Sequence, residues 1–258
     1  MIQSDLVQFE RRAAVGIISM RRPPINALNA DLLDALDAMV LKASRDDATR
    51  AIVLTGGDRM FSAGADIREF SSLVDEPAIR AWITRGHRVV ACIARTRMPV
   101  IAAIEGYCLG GGLELALGCH LRVAADSAQL GLPEIKLGIV PGFGGTQRLP
   151  RLIGRGPAIS LMLMGEPIDG RQAGELGLID ELVPTGEALS AAIAIAETLS
   201  VRSRSAVASI LDLVDESGRA SLNDGLGLEI EAEIQAIRSD DGRLGIAAFL
   251  EKRSARFH

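Results

Sequence analysis

Aromatic residues are scarce in this chain, at 3% of 258 residues: six Phe, one Trp and one Tyr. A core of this size must therefore be packed from Ala, Val, Leu and Ile, which supply most of the 48% hydrophobic content. Lysine is rarer still, with only Lys42, Lys136 and Lys252, so nearly all positive charge is arginine. The formal net charge is −5 and no basic cluster stands out, which argues against nucleic acid as a partner. The three cysteines, Cys92, Cys108 and Cys119, have no CxxC spacing and read as reduced thiols. His87, His120 and His258 are equally scattered, so no zinc site or other metal site is expected. No apolar run approaches the roughly 18 residues of a membrane-spanning helix. Met1–Arg12 carries charge without an apolar signal region, and the expectation is a soluble cytoplasmic protein with no membrane association.

Phosphate-loop and dinucleotide fingerprints are missing, as is a GxSxG nucleophile elbow. What the chain has instead is glycine-rich turns followed by carboxylates. Glu114 ends Gly110-Gly111-Gly112-Leu113-Glu114, and Glu134 ends Gly131-Leu132-Pro133-Glu134. Upstream lies Phe61-Ser62-Ala63-Gly64-Ala65-Asp66, and downstream Val140-Pro141-Gly142-Phe143-Gly144-Gly145.

The hydrophobic pattern predicts strands over Leu6–Glu10 and Ala14–Met20, with a turn at Arg11-Arg12. Asn29 caps a predicted helix over Ala30–Arg45. Strands follow at Ala51–Leu54 and Pro99–Ile104, separated by a helix over Pro77–Arg97. A short helix starts at the glycine triplet. Leu121–Ala125 and Leu130 are strand pieces, and Thr146–Met164 is two helices broken at Gly154–Pro157. A late strand covers Ile179–Val183, and the remainder is helical with breaks at Arg202–Ser205, Ser217–Ser221 and Ser239–Gly242. Strand–helix alternation indicates an α/β fold built from parallel units with helical crossovers. The division falls near Pro184–Gly186, between a core of 1–185 and a helical region of 186–258.

The first amides of a helix lack intrahelical acceptors and carry the positive end of the dipole. A negative oxygen is therefore welcome near Gly111, and an amide from Ala65 would complete a two-donor oxyanion hole. Taken alone, each turn also reads as simple architecture: a tight turn for close helix packing, or a solvent loop capped by Asp66. Glu114 lies among Leu113, Leu115, Ala116 and Leu117, where burial makes ionisation costly. Pointing at water from the first helical turn is its other reading, and a surface loop is the other reading of Glu134. If both face one pocket, repulsion and desolvation push their pKa values apart into an acid and a base. Amides of the Pro141–Gly145 turn could orient a water. The Trp82 helix reads as packing, and His87 and His120 as structural.

These residues resemble the enoyl-CoA hydratase/isomerase (crotonase) family. The likeness runs from Pro24-Ile25-Asn26-Ala27-Leu28-Asn29 through Ser62–Ile67, Gly106–Leu117 and Gly131–Arg148 to Phe249-Leu250-Glu251-Lys252-Arg253. Gly110–His120 with Gly131–Glu134 is most similar to stand-alone hydratases and to the hydratase part of bifunctional β-oxidation enzymes of fatty acid metabolism. The resemblance implies a spiral of repeated ββα units with a C-terminal helical region that builds homotrimers, often paired into hexamers, and closes the CoA pocket. It implies an enoyl-CoA hydratase, a hydro-lyase, with Ala65 and Gly111 holding the thioester oxygen and Glu114 and Glu134 as the catalytic pair. Gly142 would lie against the water. Ala63, Asp66, Ile67 and Arg68 would approach coenzyme A, with Phe249 and Lys252 reaching it across a subunit boundary. No cofactor is implied beyond the coenzyme A of the acyl-CoA substrate. Two departures stand out: Arg68 where hydratases often have lysine, and Phe143 where alanine is frequent. The alternatives are a Δ3-Δ2 enoyl-CoA isomerase or a non-catalytic RNA-binding or scaffold relative.

Overall fold

A computed structural model describes residues 5–257; Met1–Ser4, part of the stretch read for a targeting signal, and His258 lie outside it. The strands are β1 (Val7–Arg12), β2 (Val15–Met20), β3 (Ala51–Thr55), β4 (Met60–Ser62), β5 (Val100–Ile104), β6 (Tyr107–Leu109), β7 (Leu121–Ala125), β8 (Gln129–Gly131), β9 (Ile168–Asp169) and β10 (Glu181–Val183). The helices are α1 (Ala30–Ser44), α2 (Ile67–Ser71), α3 (Glu76–Ala94), α4 (Gly111–Gly118), α5 (Gly145–Ile153), α6 (Arg155–Met164), α7 (Gly170–Glu175), α8 (Ala188–Ser200), α9 (Arg204–Ser217), α10 (Leu222–Arg238) and α11 (Asp240–Leu250). A 3-10 turn spans Pro133–Leu137.

Two sheets organise the chain. The larger has the order β1-β2-β3-β5-β7-β10 and the smaller β4-β6-β8-β9. All pairings in the larger sheet are parallel except the β1–β2 hairpin. Each unit places one strand in the large sheet and its successor in the small one, as β3 then β4, β5 then β6, and β7 then β8, before helices return the chain. That repeat is the expected ββα spiral.

Strand alternation decides the core. Ile52, Leu54, Val100, Ala102 and Ile104 face one side, with the buried stripes of α1 and α3. Val15, Val53, Ile101, Ala103 and Val123 face the other, where α8 lays Ala188, Ala192 and Ala196 at four-residue spacing. Small alanines let α8 approach closely. Beyond it the helices are lightly buried: Ala208 alone in α9, none in α10 and Ala248 in α11.

Several expectations are corrected. The first hairpin turns at Ala13-Ala14, with Ala13 in the left-handed region, rather than at Arg11-Arg12, because Arg12 still pairs with Val15. The α5–α6 break is at Gly154 only; Pro157 fits inside the first turn of α6, where no amide donor is needed. The late strand begins at Glu181, since Asp180 is turned aside by Arg122. The predicted cap holds: Asn29 Oδ1 accepts from the Leu32 amide at 3.0 Å. No helix among the described residues is long and apolar enough to cross a membrane.

Candidate active site

The site forms where the C-terminal ends of the strands pass into glycine turns. Ala65 makes a parallel bridge with Leu28, in which the Leu28 amide donates to Gly64 O and the Asp66 amide to Leu28 O, both at 2.8 Å. The groups on either side of Ala65 thus face Leu28, and its own N–H is turned the opposite way, toward the cavity. Gly111 opens α4, so its N–H has no intrahelical acceptor, while Gly110 N–H is spent on Gly131 O at 2.9 Å. The two loops touch. A Cβ added to Gly64, whose φ is +92°, would sit 2.8 Å from Leu109 O and 3.3 Å from Gly111 N. The Gly64–Ala65 and Gly110–Gly111 turns thus lie side by side, and both Ala65 and Gly111 line the cavity.

Ser62 and Asn26 hold this arrangement. Asn26 Nδ2 donates to Gly56 O at 2.8 Å and reaches Met60 O and Phe61 O, while Ser62 Oγ donates to Asn26 O and accepts from the Gly64 amide. Asp66 is tied down as well. Arg22 Nη2 donates to its carboxylate at 2.6 Å, and the Arg68 amide donates to its other oxygen, capping α2. Burial alone would raise the Asp66 carboxyl, but Arg22 and that amide outweigh it and hold it below the ordinary range.

Glu114 is in the first turn of α4 and 1% exposed. Its Oε1 accepts the Phe143 amide at 2.8 Å and the Gly145 amide at 2.7 Å, both from the start of α5. A Cβ on Gly145 would come 3.0 Å from that same oxygen, so the glycine makes the bond possible. Burial pushes the Glu114 carboxyl up to about 7, against the downward pull of the Gly145 amide, and the nearby Glu134 charge adds to the rise. Glu134 sits on the 3-10 turn after Pro133. Its Oε2 is buried without a partner, its Oε1 would lie 3.0 Å from a Cβ on Gly110, and burial raises its carboxyl above the ordinary value. Gly110 adopts φ 51° and ψ −127°, a conformation open to glycine.

One cavity of about 120 Å3 joins Ala65, Gly111, Glu114, Glu134 and Gly142. Among the site residues proposed from the sequence, these five and Ile67 line it, as does Phe143; Ala63, Asp66 and Arg68 stand beside it on the α2 approach. Phe249 and Lys252 do not line it, and Phe249 is 82% exposed at the end of α11. The sequence reading missed what surrounds the carboxylates. Turn amides assigned to a water are spent on Glu114, and Trp82 and Phe70 join Phe143, already noted as a departure, in a wall. Trp82 is packed as expected, but against the cavity itself. His120 is structural, its Nδ1 accepting the Val100 amide at 2.9 Å. Among the described residues no group of three or more His, Cys, Asp or Glu could hold a metal ion.

The cavity therefore brings two carboxyls, both raised above their ordinary range, beside two glycine-rich turns. Comparison with known proteins identifies the family. The enoyl-CoA hydratase/isomerase family matches residues 10–258. The chain is 42% identical over 244 residues to a probable enoyl-CoA hydratase of Bacillus subtilis (strain 168), covering 94% of this chain and 95% of that one. It is 40% identical over 256 residues to probable enoyl-CoA hydratase echA8 of Mycobacterium tuberculosis, covering 98% of each. Among solved structures, an enoyl-CoA hydratase from Bacillus anthracis aligns with a TM-score of 0.93 at 36% identity, over 98% of both chains. DspI of Pseudomonas aeruginosa aligns with a TM-score of 0.96 at 34% identity, over 100% of this chain and 98% of that one.

Proposed function

The chain belongs to the enoyl-CoA hydratase/isomerase family, and on that premise we propose that it adds water across the C2–C3 double bond of a trans-2-enoyl-CoA, giving a 3-hydroxyacyl-CoA. The carrying observation is that Glu114, Glu134, Ala65 and Gly111 all line one small cavity. The thioester oxygen sits between the Ala65 and Gly111 amides and gains negative charge as C3 is attacked. Each such donor contributes roughly 3 kcal/mol to transition-state stabilisation.

Glu114, anionic and held by two amides, takes a proton from the water as its oxygen bonds to C3. Glu134, protonated, delivers a proton to C2 as the π pair moves there. Proton exchange with solvent then resets the pair. Gly142, where an added Cβ would meet nothing within 4 Å, leaves room for the water. No resident cofactor takes part in this scheme. Ala63, Asp66, Ile67 and Arg68 flank coenzyme A; Asp66 does so as a loop anchor, its carboxylate being occupied by Arg22. Phe249 and Lys252 reach coenzyme A from a neighbouring subunit, within a region of 186–258 that serves assembly and pocket closure.

A homotrimer or dimer of trimers fits the exposed apolar stripe Leu222, Leu226, Ile230, Ile234 and Ile237 on α10. Sedimentation as a monomer would count against that assembly. Charge and helix character fit a cytoplasmic acyl-CoA enzyme that binds neither RNA nor membrane. The deciding experiment is crotonyl-CoA hydration, followed by loss of the enoyl absorbance. A chain that leaves crotonyl-CoA untouched but shifts the double bond of a 3-enoyl-CoA would be an isomerase instead.

A further inference from the structure

Three of the eight aromatic side chains meet at the cavity. The Trp82 ring lies 5.4 Å from Phe70, edge-on at 67°, and 4.9 Å from Phe143 at 41°. Trp82 and Phe143 are buried at 5% and 2% exposure. The Phe143 ring is seated on Gly86 of α3, where any Cβ would collide with the ring. Gly86 is a helix-interior glycine one turn beyond Trp82, a position at which glycine weakens a helix. Its role is to make room for this ring. On the other side the ring borders Gly111, so it spans from the oxyanion turn to α3. The ring thus forms one wall of the cavity and, seated on Gly86, has no space to retreat toward α3. The cavity beside the ring is small, about 120 Å3.

We propose that Phe143, locked against Gly86 and Trp82, is an acyl-length stop that restricts the site to short, crotonyl-sized enoyl groups. This rests on the hydratase reading and adds its substrate class. The stop acts through volume: against a rigid apolar wall a methylene too many costs about tenfold or more in kcat/KM. The same residue has two separable functions, because its amide holds Glu114 while its ring sets length.

The test is a panel of crotonyl-, hexenoyl-, octenoyl- and decenoyl-CoA. Wild-type kcat/KM should fall roughly tenfold or more between crotonyl and octenoyl. Phe143→Ala should raise the octenoyl-to-crotonyl ratio roughly tenfold, whatever it does to the absolute rate, and Phe143→Leu should move it the same way by less. Gly86→Ala, which drives the ring into the cavity, should depress every length. Trp82 is the only tryptophan, so its fluorescence reports binding directly. Butyryl-CoA should perturb it in the wild type, and decanoyl-CoA only in the Phe143 variants. Wild-type turnover of decenoyl-CoA within threefold of crotonyl-CoA, or an unchanged ratio in both Phe143 variants, would overturn the stop. If no length is hydrated, the hydratase reading fails, and the fluorescence panel still decides the stop.

Discussion

Glu105 and Glu114 stand nine positions apart and are built almost alike. Both are buried, at 5% and 1% exposure, and each Oε1 accepts two backbone amides near the start of a distant helix. Glu105 takes the Gly186 and Ala188 amides at 3.0 Å and pins α8 to the sheet. Glu114 takes the Phe143 and Gly145 amides and pins α5 to α4. The difference lies in what else is present. Glu114 borders a cavity lined by a second carboxyl and by Ala65 and Gly111; Glu105 does not line that cavity and closes a seam. A buried carboxylate on a helix N-terminus is thus an architectural joint in one place and, in the proposed reaction, a reagent in the other. The neighbours, not the residue, make it chemical.

The comparison breaks most sharply on activity. Glu114→Gln and Glu134→Gln should each lower crotonyl-CoA kcat by two to four decades, about 3–5 kcal/mol of barrier. Glu105→Gln should leave kcat within a few-fold in whatever fraction folds. Wild-type rates in either cavity variant would remove that residue from the mechanism.

Stability should show the reverse. Glu105→Ala strands two amides at the start of α8, and hydrogen bonds to a charged acceptor are worth roughly 1.5–3 kcal/mol each. Allowing for water reaching the freed amides, we expect a loss of about 2–4 kcal/mol in urea unfolding, with m unchanged. A loss below about 1 kcal/mol would mean that the joint carries little.

Glu114→Gln should instead stabilise the protein, and only at neutral to high pH. The folded carboxyl titrates at about 7, above its ordinary 4.5. Below about pH 4.5 both states are protonated and nothing separates them. As pH rises toward 7 the unfolded chain loses its proton first, so wild-type stability falls through that window and stays lowered above it. The variant carries no such term. Its advantage over wild type should grow from near zero at pH 4.5 to about 1–3 kcal/mol at pH 8. An advantage independent of pH would show that packing, not charge, was responsible.

Much of this site was legible in the sequence, and the reasons are specific. Glycine turns announce themselves, so Ala65, Gly111 and Gly142 could be nominated together. Glu114 was marked by apolar neighbours that gave its helix no polar face. The small sheet was missed because β4, β6 and β9 are three residues or fewer, too short for alternation to register. Glu105 was overlooked because its partners are amides 81 and 83 residues along, and a backbone donor has no letter. Phe143 was noticed as a departure, yet its seat, Gly86, looked like an arbitrary glycine in a helix.

The smallest effect sharpens the comparison further, because it asks which protonation state of Glu114 works. If it acts as the base, only its anion is competent, and kcat/KM reports the free enzyme. With the carboxyl at about 7, activity should drop about tenfold per pH unit on the acid side of neutrality. Glu105→Gln should keep that limb unmoved, since its carboxyl lies outside the cavity. A kcat/KM profile flat from pH 7 to 5 would mean that no group titrating near 7 must lose its proton for activity, and Glu114 would lose the role of base.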